Sequence, residues 1–289
     1  MRLVCSLLFA LAACGRASGA TPIEPVHAAG AFQPTAFSVD IRGRGRPVIL
    51  IPGLGCPSSV WDDTVAHLRD YETYQIALAG FAGKPRIDAP LVKTTVDELA
   101  RYIRDRHLVS PIIVGHSLGG TVAYMLASRE PTLIGPTIVV DAGAGDDSPD
   151  AAAAAQVRDA WAGASDEQFT QRVQAIFGQM STRPDRLGPV LTEVAKSDRR
   201  AIGEAIYELS TTSVRGELDK IRAPVLLVLA DGSRKDDFRR QADAIRDREV
   251  VVVPATRHFV MLDDPAGFFA AVDRFLAEHE PIDQAAPRT

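Results

Sequence analysis

The chain reads Gly-His-Ser-Leu-Gly at residues 115–119, between the apolar residues 111–114 and a helix-favouring stretch at residues 121–129. This order predicts a strand that reverses into a helix within one tight turn. Such a turn forces the central serine into a strained backbone conformation, and the glycines at both ends of the motif provide the space that it needs. The pattern therefore predicts that Ser117 is held clear of a sheet edge as a nucleophile.

Two backbone N–H groups are candidates for an oxyanion hole. The first belongs to Leu118, which begins the helix after the serine, so its N–H points to where negative charge would develop. The second belongs to Leu54, in the glycine-rich loop at residues 51–55, where Gly53 and Gly55 let the backbone approach a ligand. Together these groups predict a site that stabilises a tetrahedral intermediate of acyl transfer.

A serine hydroxyl is a poor nucleophile at neutral pH, so a base must stand within hydrogen-bond reach of it. Of the six histidines, His258 follows the last expected strand and precedes the final helix. It should therefore lie in a loop at the ligand-binding edge of the sheet. His116 adjoins the serine, but its side chain is expected to point away. His258 is the predicted general base.

The acid that orients this histidine has several candidates. Asp231 directly follows the expected strand at residues 225–230 and is the first choice. Asp141, at the end of the strand after the serine's helix, reaches the same edge and is the alternative. Asp236 and Asp237 are further candidates, although their position fits the negative charge that favours a helix N-terminus. The sequence leaves the choice of acid open.

Strands and helices alternate along most of the chain, which predicts an α/β fold with a mostly parallel central sheet flanked by helices. The short strands at residues 36–41 and 48–51 are expected to form a hairpin. Residues 146–216 are alanine-rich and charged, with helical periodicity and no convincing strand, which predicts a helical cap. Ligands bind such sheets at the carboxyl ends of the strands, and the cap would cover that edge.

The expected division of the chain has six parts. They are a signal peptide at residues 1–20, a flexible lead at 21–35, the first part of the core at 36–145, the cap at 146–216, the second part of the core at 217–280, and a tail at 281–289.

The first twenty residues predict export. Arg2 precedes an apolar run at residues 3–13, which is too short to span a bilayer. The small residues 18–20 suit a signal peptidase, whereas residues 11–14 resemble a bacterial lipobox that would leave a lipid on Cys14. We expect a periplasmic or secreted protein that touches a membrane only through such a lipid.

Composition argues against several other classes of protein. The net charge is −5, and lysine and arginine are spread along the chain, so no nucleic-acid partner is expected. The sequence shows neither a dinucleotide fingerprint after a first strand nor a His/Cys cluster with metal-ligand spacing, so no cofactor and no metal are expected. Cys56 is the one cysteine beyond the signal segment, and we interpret it as a packing residue.

Taken together, these motifs resemble the α/β-hydrolase superfamily, in particular its cap-bearing esterase, peptidase and perhydrolase-like branch. The matching stretches are residues 51–55, 115–120, 224–229 and 257–259. They are spread over nearly all of the chain beyond the signal segment. Two details depart from the family's pattern: Pro52 replaces a histidine that the oxyanion loop usually carries, and the stretch around Asp231 differs from the usual Gly-x-x-Asp.

The motifs and the resemblance imply a metal-independent serine hydrolase that cleaves a small-molecule ester, or an amide or thioester, through an acyl-enzyme on Ser117. His258 would take and return the proton, while Leu54 and Leu118 would hold the oxyanion. Perhydrolase, C–C hydrolase and acyltransferase chemistry use the same residues and stay open as alternatives. A non-catalytic exported binding protein with a broken triad is a further alternative.

Overall fold

The structure is a computed structural model that describes residues 32–145, 149–232 and 234–279. The expected signal peptide at residues 1–20, with Cys14, and the expected tail at 281–289 lie outside the described residues, as does most of the expected lead. None of the helices within the described part is long and apolar enough to cross a lipid bilayer.

A twisted sheet of seven strands forms the centre of the described chain. The strands are β1 (Phe37–Gly43), β2 (Arg46–Ile51), β3 (Tyr71–Leu78), β4 (Ile112–His116), β5 (Thr137–Val140), β6 (Val225–Ala230) and β7 (Arg248–Val253). Their order in the sheet is β1-β3-β2-β4-β5-β6-β7. Only β1 runs antiparallel to its neighbour. The predicted α/β class with a mostly parallel sheet is confirmed.

The expected hairpin between residues 36–41 and 48–51 is wrong. β1 pairs with β3, and β2 lies on the far side of β3, where it pairs in parallel with β3 and β4. The start of β3 passes so close to the β1–β2 turn that a Cβ atom on Gly43 would lie 2.3 Å from the carbonyl oxygen of Tyr71. The apolar residues of β2 are buried, as a central parallel strand requires.

Ten α-helices surround the sheet in the described part of the chain. They are α1 (Asp62–His67), α2 (Leu91–Asp105), α3 (Leu118–Arg129), α4 (Ala151–Ala162), α5 (Asp166–Phe177), α6 (Pro184–Val194), α7 (Arg199–Thr211), α8 (Lys235–Gln241), α9 (Val260–Asp263) and α10 (Pro265–Glu278). Helix α3 packs against α2, β4 and β5, whereas α10 packs against α1, β6 and β7.

The described residues between β5 and β6 contain four α-helices, a 3-10 helix at Arg215–Lys220 and no strand. We call residues 151–211, which hold α4 to α7, the helical insertion. Helix α4 packs against α7, and α7 packs against α2 of the core. The insertion therefore rests on the core through α7.

Helix α3 approaches the end of β2 more closely than any side chain would permit. A Cβ atom on Gly119, in the first turn of α3, would lie 2.2 Å from the carbonyl oxygen of Ile51 and 2.8 Å from that of Pro52. A Cβ atom on Gly115 would in turn lie 2.1 Å from the carbonyl oxygen of Gly119. Glycine at both ends of the Gly-His-Ser-Leu-Gly motif is therefore a requirement of packing.

Glu208 joins the helical insertion to the core. Its carboxylate, on α7, accepts a hydrogen bond of 2.5 Å from the backbone N–H of Val92, in the first turn of α2. Its other oxygen, Oε1, is buried without a partner among the described residues. Burial raises the pKa of Glu208 to about 7, the N–H groups of Val92 and Lys93 lower it, and the charge of Glu204 raises it.

We predict that Glu208→Gln makes the folded protein less sensitive to pH. The folded state keeps a proton on Glu208 up to about pH 7, whereas the ordinary pKa of the group is 4.5. Folded chains therefore bind more protons between these values, and the free energy of unfolding falls as the pH rises through this window. After a discount for solvent screening, the parent protein should lose about 1–2 kcal/mol of its free energy of unfolding across this window.

Urea unfolding at pH 5 and pH 8 measures this effect. Glu208→Gln should be more stable than the parent at pH 8, and the difference should shrink at pH 5. Glu167→Gln, which changes an exposed carboxylate on α5, is the control. Equal stability differences for Glu208→Gln at the two pH values would contradict the prediction.

We also predict that Gly119→Ala lowers the free energy of unfolding by about 2 kcal/mol, because the new methyl group meets backbone atoms that cannot rotate away. Gly216→Ala is the matched control, since a Cβ atom there has no neighbour within 4 Å. Its stability should stay within about 0.5 kcal/mol of the parent. The packing argument fails if urea unfolding gives the same result for both variants.

Candidate active site

Ser117 occupies the turn between β4 and α3. Its backbone angles are φ 54° and ψ −118°, a strained conformation for a residue other than glycine. The turn is held by three backbone hydrogen bonds: the Ser117 N–H donates to Val140, and the Ser117 carbonyl accepts from Gly120 and Thr121. The predicted strand, turn and helix are therefore present, and the turn positions the serine side chain.

The loop at residues 51–55 lies directly against this turn. A Cβ atom on Gly53 would lie 3.2 Å from the Cβ atom of Ser117 and 2.9 Å from Nδ1 of His116. Gly55, with φ of 70°, reverses the chain two residues later. Leu54 therefore belongs to a loop whose backbone reaches the serine, as expected for the predicted second oxyanion donor.

His258 lies in the loop between β7 and α9, which we call the His258 loop (residues 254–259). Its Nδ1 atom is 2.7 Å from Oδ2 of Asp141, so the neutral ring donates Nδ1–H to this carboxylate. That tautomer leaves Nε2 unprotonated and able to accept a proton. His258 and Ser117 line the same cavity.

Asp141 is held in place on both sides. It follows β5 directly, has a positive φ of 43°, and donates its N–H to the carbonyl oxygen of Val228. Its Oδ1 atom accepts a hydrogen bond of 3.0 Å from the N–H of Ala230. Since the side chain is only 10% exposed, the second oxygen is directed to His258 in a largely dehydrated setting. The alternative acid from the sequence thus has the required geometry.

Asp231, the first choice from the sequence, does not contact His258. Its carboxylate instead forms an ion pair with Lys235, and this hydrogen bond lowers the pKa of Asp231. The physical reason is the position of Asp231 just beyond β6. The N–H of Ala230, the last residue of β6, already binds Asp141, whereas the side chain of Asp231 lies next to Lys235 in the exposed first turn of α8. Asp236 and Asp237 also lie in that first turn. Of the candidate acids from the sequence, Asp141 is therefore the one that contacts His258 in the described structure.

His116 has a structural role that sequence reasoning missed. Its ring is completely buried and packs against the rings of His258 and Phe259. The Nε2–H group donates 2.9 Å to the carbonyl oxygen of His258, and the two rings have centroids 4.7 Å apart. Burial, and then the nearby His258, hold the pKa of His116 well below its usual value. A neutral His116 thus supports the His258 loop through this hydrogen bond.

Asp263 fastens the same loop to the helical insertion. It is a buried carboxylate in α9, and its Oδ2 atom accepts a hydrogen bond of 2.7 Å from the N–H of Arg257. Its Oδ1 atom accepts hydrogen bonds from the N–H of Thr182 and from the hydroxyl of Ser181, both between α5 and α6. The position of His258 therefore depends on contacts to the insertion as well as to the core.

A cavity of about 900 Å³ opens above Ser117 and His258, and the helical insertion contributes part of its wall. Cys56 is buried near this site, and burial raises the pKa of its thiol to about 12, so it is no nucleophile at neutral pH. The described residues contain no group of three His, Cys, Asp or Glu side chains that could hold a metal ion.

Comparisons with known proteins find chains that resemble this one. The structure resembles that of a thermophilic esterase from Thermogutta terrifontis, with a TM-score of 0.76 and 18% identity, over 85% of this chain and 94% of the esterase. A pimeloyl-[acyl-carrier protein] methyl ester esterase from Shewanella woodyi is 24% identical, over 67% of this chain and 78% of that protein.

Two matches are stronger. An uncharacterised protein of Mycobacterium tuberculosis is 35% identical over 301 residues, which cover 86% of this chain and 81% of the relative. A model of the alpha/beta hydrolase family matches residues 48–272. With the seven-stranded sheet and the serine turn described above, these matches show that the chain belongs to the α/β-hydrolase family and is a hydrolase.

Proposed function

We propose that this hydrolase cleaves a carboxylic ester through an acyl-enzyme on Ser117, with His258 as general base and Asp141 as the orienting acid. One observation carries the proposal: the His258 imidazole that donates to buried Asp141 lines the same cavity as Ser117. Asp141 holds the tautomer in which Nε2 accepts a proton, and it stabilises the imidazolium that forms.

The proposed reaction has two steps. In the first, Ser117 Oγ attacks the ester carbonyl carbon, His258 takes the hydroxyl proton, and the tetrahedral intermediate collapses as the carbon–alkoxy bond breaks and His258 protonates the leaving alcohol. In the second, His258 removes a proton from water, the hydroxide attacks the acyl carbon, and the acid product leaves as Ser117 regains its proton. Water is the only co-reactant.

The N–H groups of Leu54 and Leu118 are proposed to stabilise the oxyanion in both steps. Leu118 is the first residue of α3, where the helix dipole adds positive potential. Leu54 lies in the loop that packs against the serine turn. Removal of one such donor typically costs about 3 kcal/mol in the transition state, so the shape of this loop matters for the rate.

An ester is the proposed substrate because the proposed acyl-enzyme chemistry suits it and because two similar proteins are named for it. Two proteins similar to this chain are esterases by name, one of them acting on a methyl ester. The alternative of a non-catalytic binding protein predicts a broken triad, whereas Asp141 fills the position that the sequence left open. Perhydrolase, C–C hydrolase and acyltransferase chemistry differ only in the substrate or acceptor, and product analysis distinguishes them.

Replacement of the nucleophile tests the proposal directly. We expect Ser117→Ala to lower kcat for p-nitrophenyl acetate by at least about 10⁴-fold, because no other hydroxyl occupies the turn. Labelling by a fluorophosphonate probe should disappear in the same variant. Turnover equal to that of the parent protein, with the fold intact by circular dichroism, would exclude the acyl-enzyme on Ser117.

A pair of aspartate variants tests the assignment of the acid. Asp141→Asn should reduce kcat by about 10³–10⁴-fold, because an amide favours the wrong tautomer of His258. Asp231→Asn weakens an exposed ion pair with Lys235 and keeps an oxygen that can accept from the N–H of Ala255, so it should change kcat by less than about threefold. Steady-state kinetics on both variants measures these changes in kcat. A larger loss of kcat in Asp231→Asn than in Asp141→Asn would favour Asp231 as the acid.

A further inference from the structure

The cavity above Ser117 has two chemically different walls. One wall is apolar and comes from the helical insertion: Ala153, Ala154 and Val157 of α4, Met180, and Leu209 of α7. Val157 is 43% exposed, unusually high for a large apolar residue. An apolar surface left open inside a cavity is typical of a site that holds hydrocarbon.

A second wall comes from the loops after β6 and β7 and from the start of α8, and it carries positive charge. Lys235 is paired with Asp231. Arg234 lies over the ring of Phe238 and 3.6 Å from the Asp237 carboxylate. Two of the cations on this wall therefore already have acidic partners.

Arg257 differs from these two cations. Its Nη1 group donates to backbone carbonyl oxygens, 3.0 Å to Gln179 and 3.5 Å to Ser181. Among the described residues no carboxylate forms an ion pair with its guanidinium. Carbonyl oxygens fix the side chain without cancelling its charge, so Arg257 presents a positioned positive charge to the cavity, next to His258 in the chain.

Acidic side chains of the cavity are engaged elsewhere. Asp141 binds His258, Asp150 caps α4 by accepting from the N–H of Ala153, and Asp237 accepts from Gln241. These carboxylates are therefore held by donors of their own. Among the described residues of this wall, Arg257 is therefore the cation that no carboxylate pairs with.

We propose that the substrate is an ester bearing a carboxylate, with the ester carbonyl at Ser117, an aliphatic segment against the α4 wall, and the carboxylate on Arg257. This inference rests on the proposed esterase function and specifies its substrate class. A guanidinium is suited to a carboxylate because its planar N–H groups match the two oxygens. Nε and Nη2, for which the described residues provide no acceptor, supply that fork while Nη1 stays on the insertion.

Matched pairs of esters test the proposal. Monomethyl adipate and methyl heptanoate differ in charge on the acyl side, while 6-acetoxyhexanoate and hexyl acetate differ in charge on the alcohol side. The measured quantity is the ratio of kcat/KM for the charged ester to that for its neutral partner. We expect a ratio above one for at least one pair, which falls as NaCl is raised.

Arg257→Gln should lower that ratio by about tenfold. Arg257→Lys should give an intermediate ratio, because it keeps the charge and loses the planar fork. This intermediate value separates a binding role from the support that Arg257 gives to the insertion. Arg239→Gln is the control, since Arg239 is exposed on α8 and does not line the cavity. Its ratio should match that of the parent protein.

Failure of this inference is distinguishable from failure of the proposed function. Turnover of neutral esters that depends on Ser117, with a charge ratio at or below one for both pairs, would overturn the carboxylate assignment and leave the esterase intact. Equal ratios in Arg257→Gln and Arg239→Gln, or preference for a trimethylammonium ester, would also overturn it. Hydrolysis of neither ester type would overturn the proposed function itself.

Discussion

Between the first turn of α3 and the end of β2 there is room for a hydrogen atom and nothing larger: a Cβ atom on Gly119 would meet the carbonyl oxygen of Ile51 at 2.2 Å. This contact sets the rest of the site. It brings the loop at residues 51–55 against Ser117, and it leaves the serine no ordinary backbone conformation, since its φ is 54°. Because the surrounding strands are buried and parallel, the strain cannot relax by a shift of the sheet.

The electrostatic design of the site depends on two histidines with different surroundings. His258 faces the cavity and bonds to Asp141, whereas His116 is buried behind it and bonds to its carbonyl oxygen. Burial keeps His116 neutral, so it supports the His258 loop without adding a charge next to the imidazolium that the proposed mechanism requires. A protonated His116 would raise the energy of that imidazolium, since the two ring centroids are 4.7 Å apart.

Local motifs made the serine turn and the fold class predictable, because the backbone conformation there is set by neighbouring residues. Contacts between distant segments were harder to foresee. The choice between Asp141 and Asp231 depends on how β5 and β6 pair and on the ion pair that Asp231 forms with Lys235. β1 likewise pairs with β3, a strand that begins about thirty residues further along the chain. The two glycines at positions 43 and 45 instead indicated a hairpin turn to β2. The contact of His116 with the His258 loop had no signal in the sequence.

Residues 179–182 contact both the cavity and the loop that carries His258. Met180 accepts a hydrogen bond from the N–H of Phe259, and Asp263 binds both Thr182 and the backbone of Arg257. The loop that carries the proposed base is therefore held by a segment that also forms part of the cavity wall, so a substitution at residues 179–182 would alter both the shape of the cavity and the support of His258. Helix α4 also lines the cavity, through Ala153 and Val157, but among the described residues it forms no hydrogen bond with the His258 loop, so its side chains can change without disturbing the proposed base.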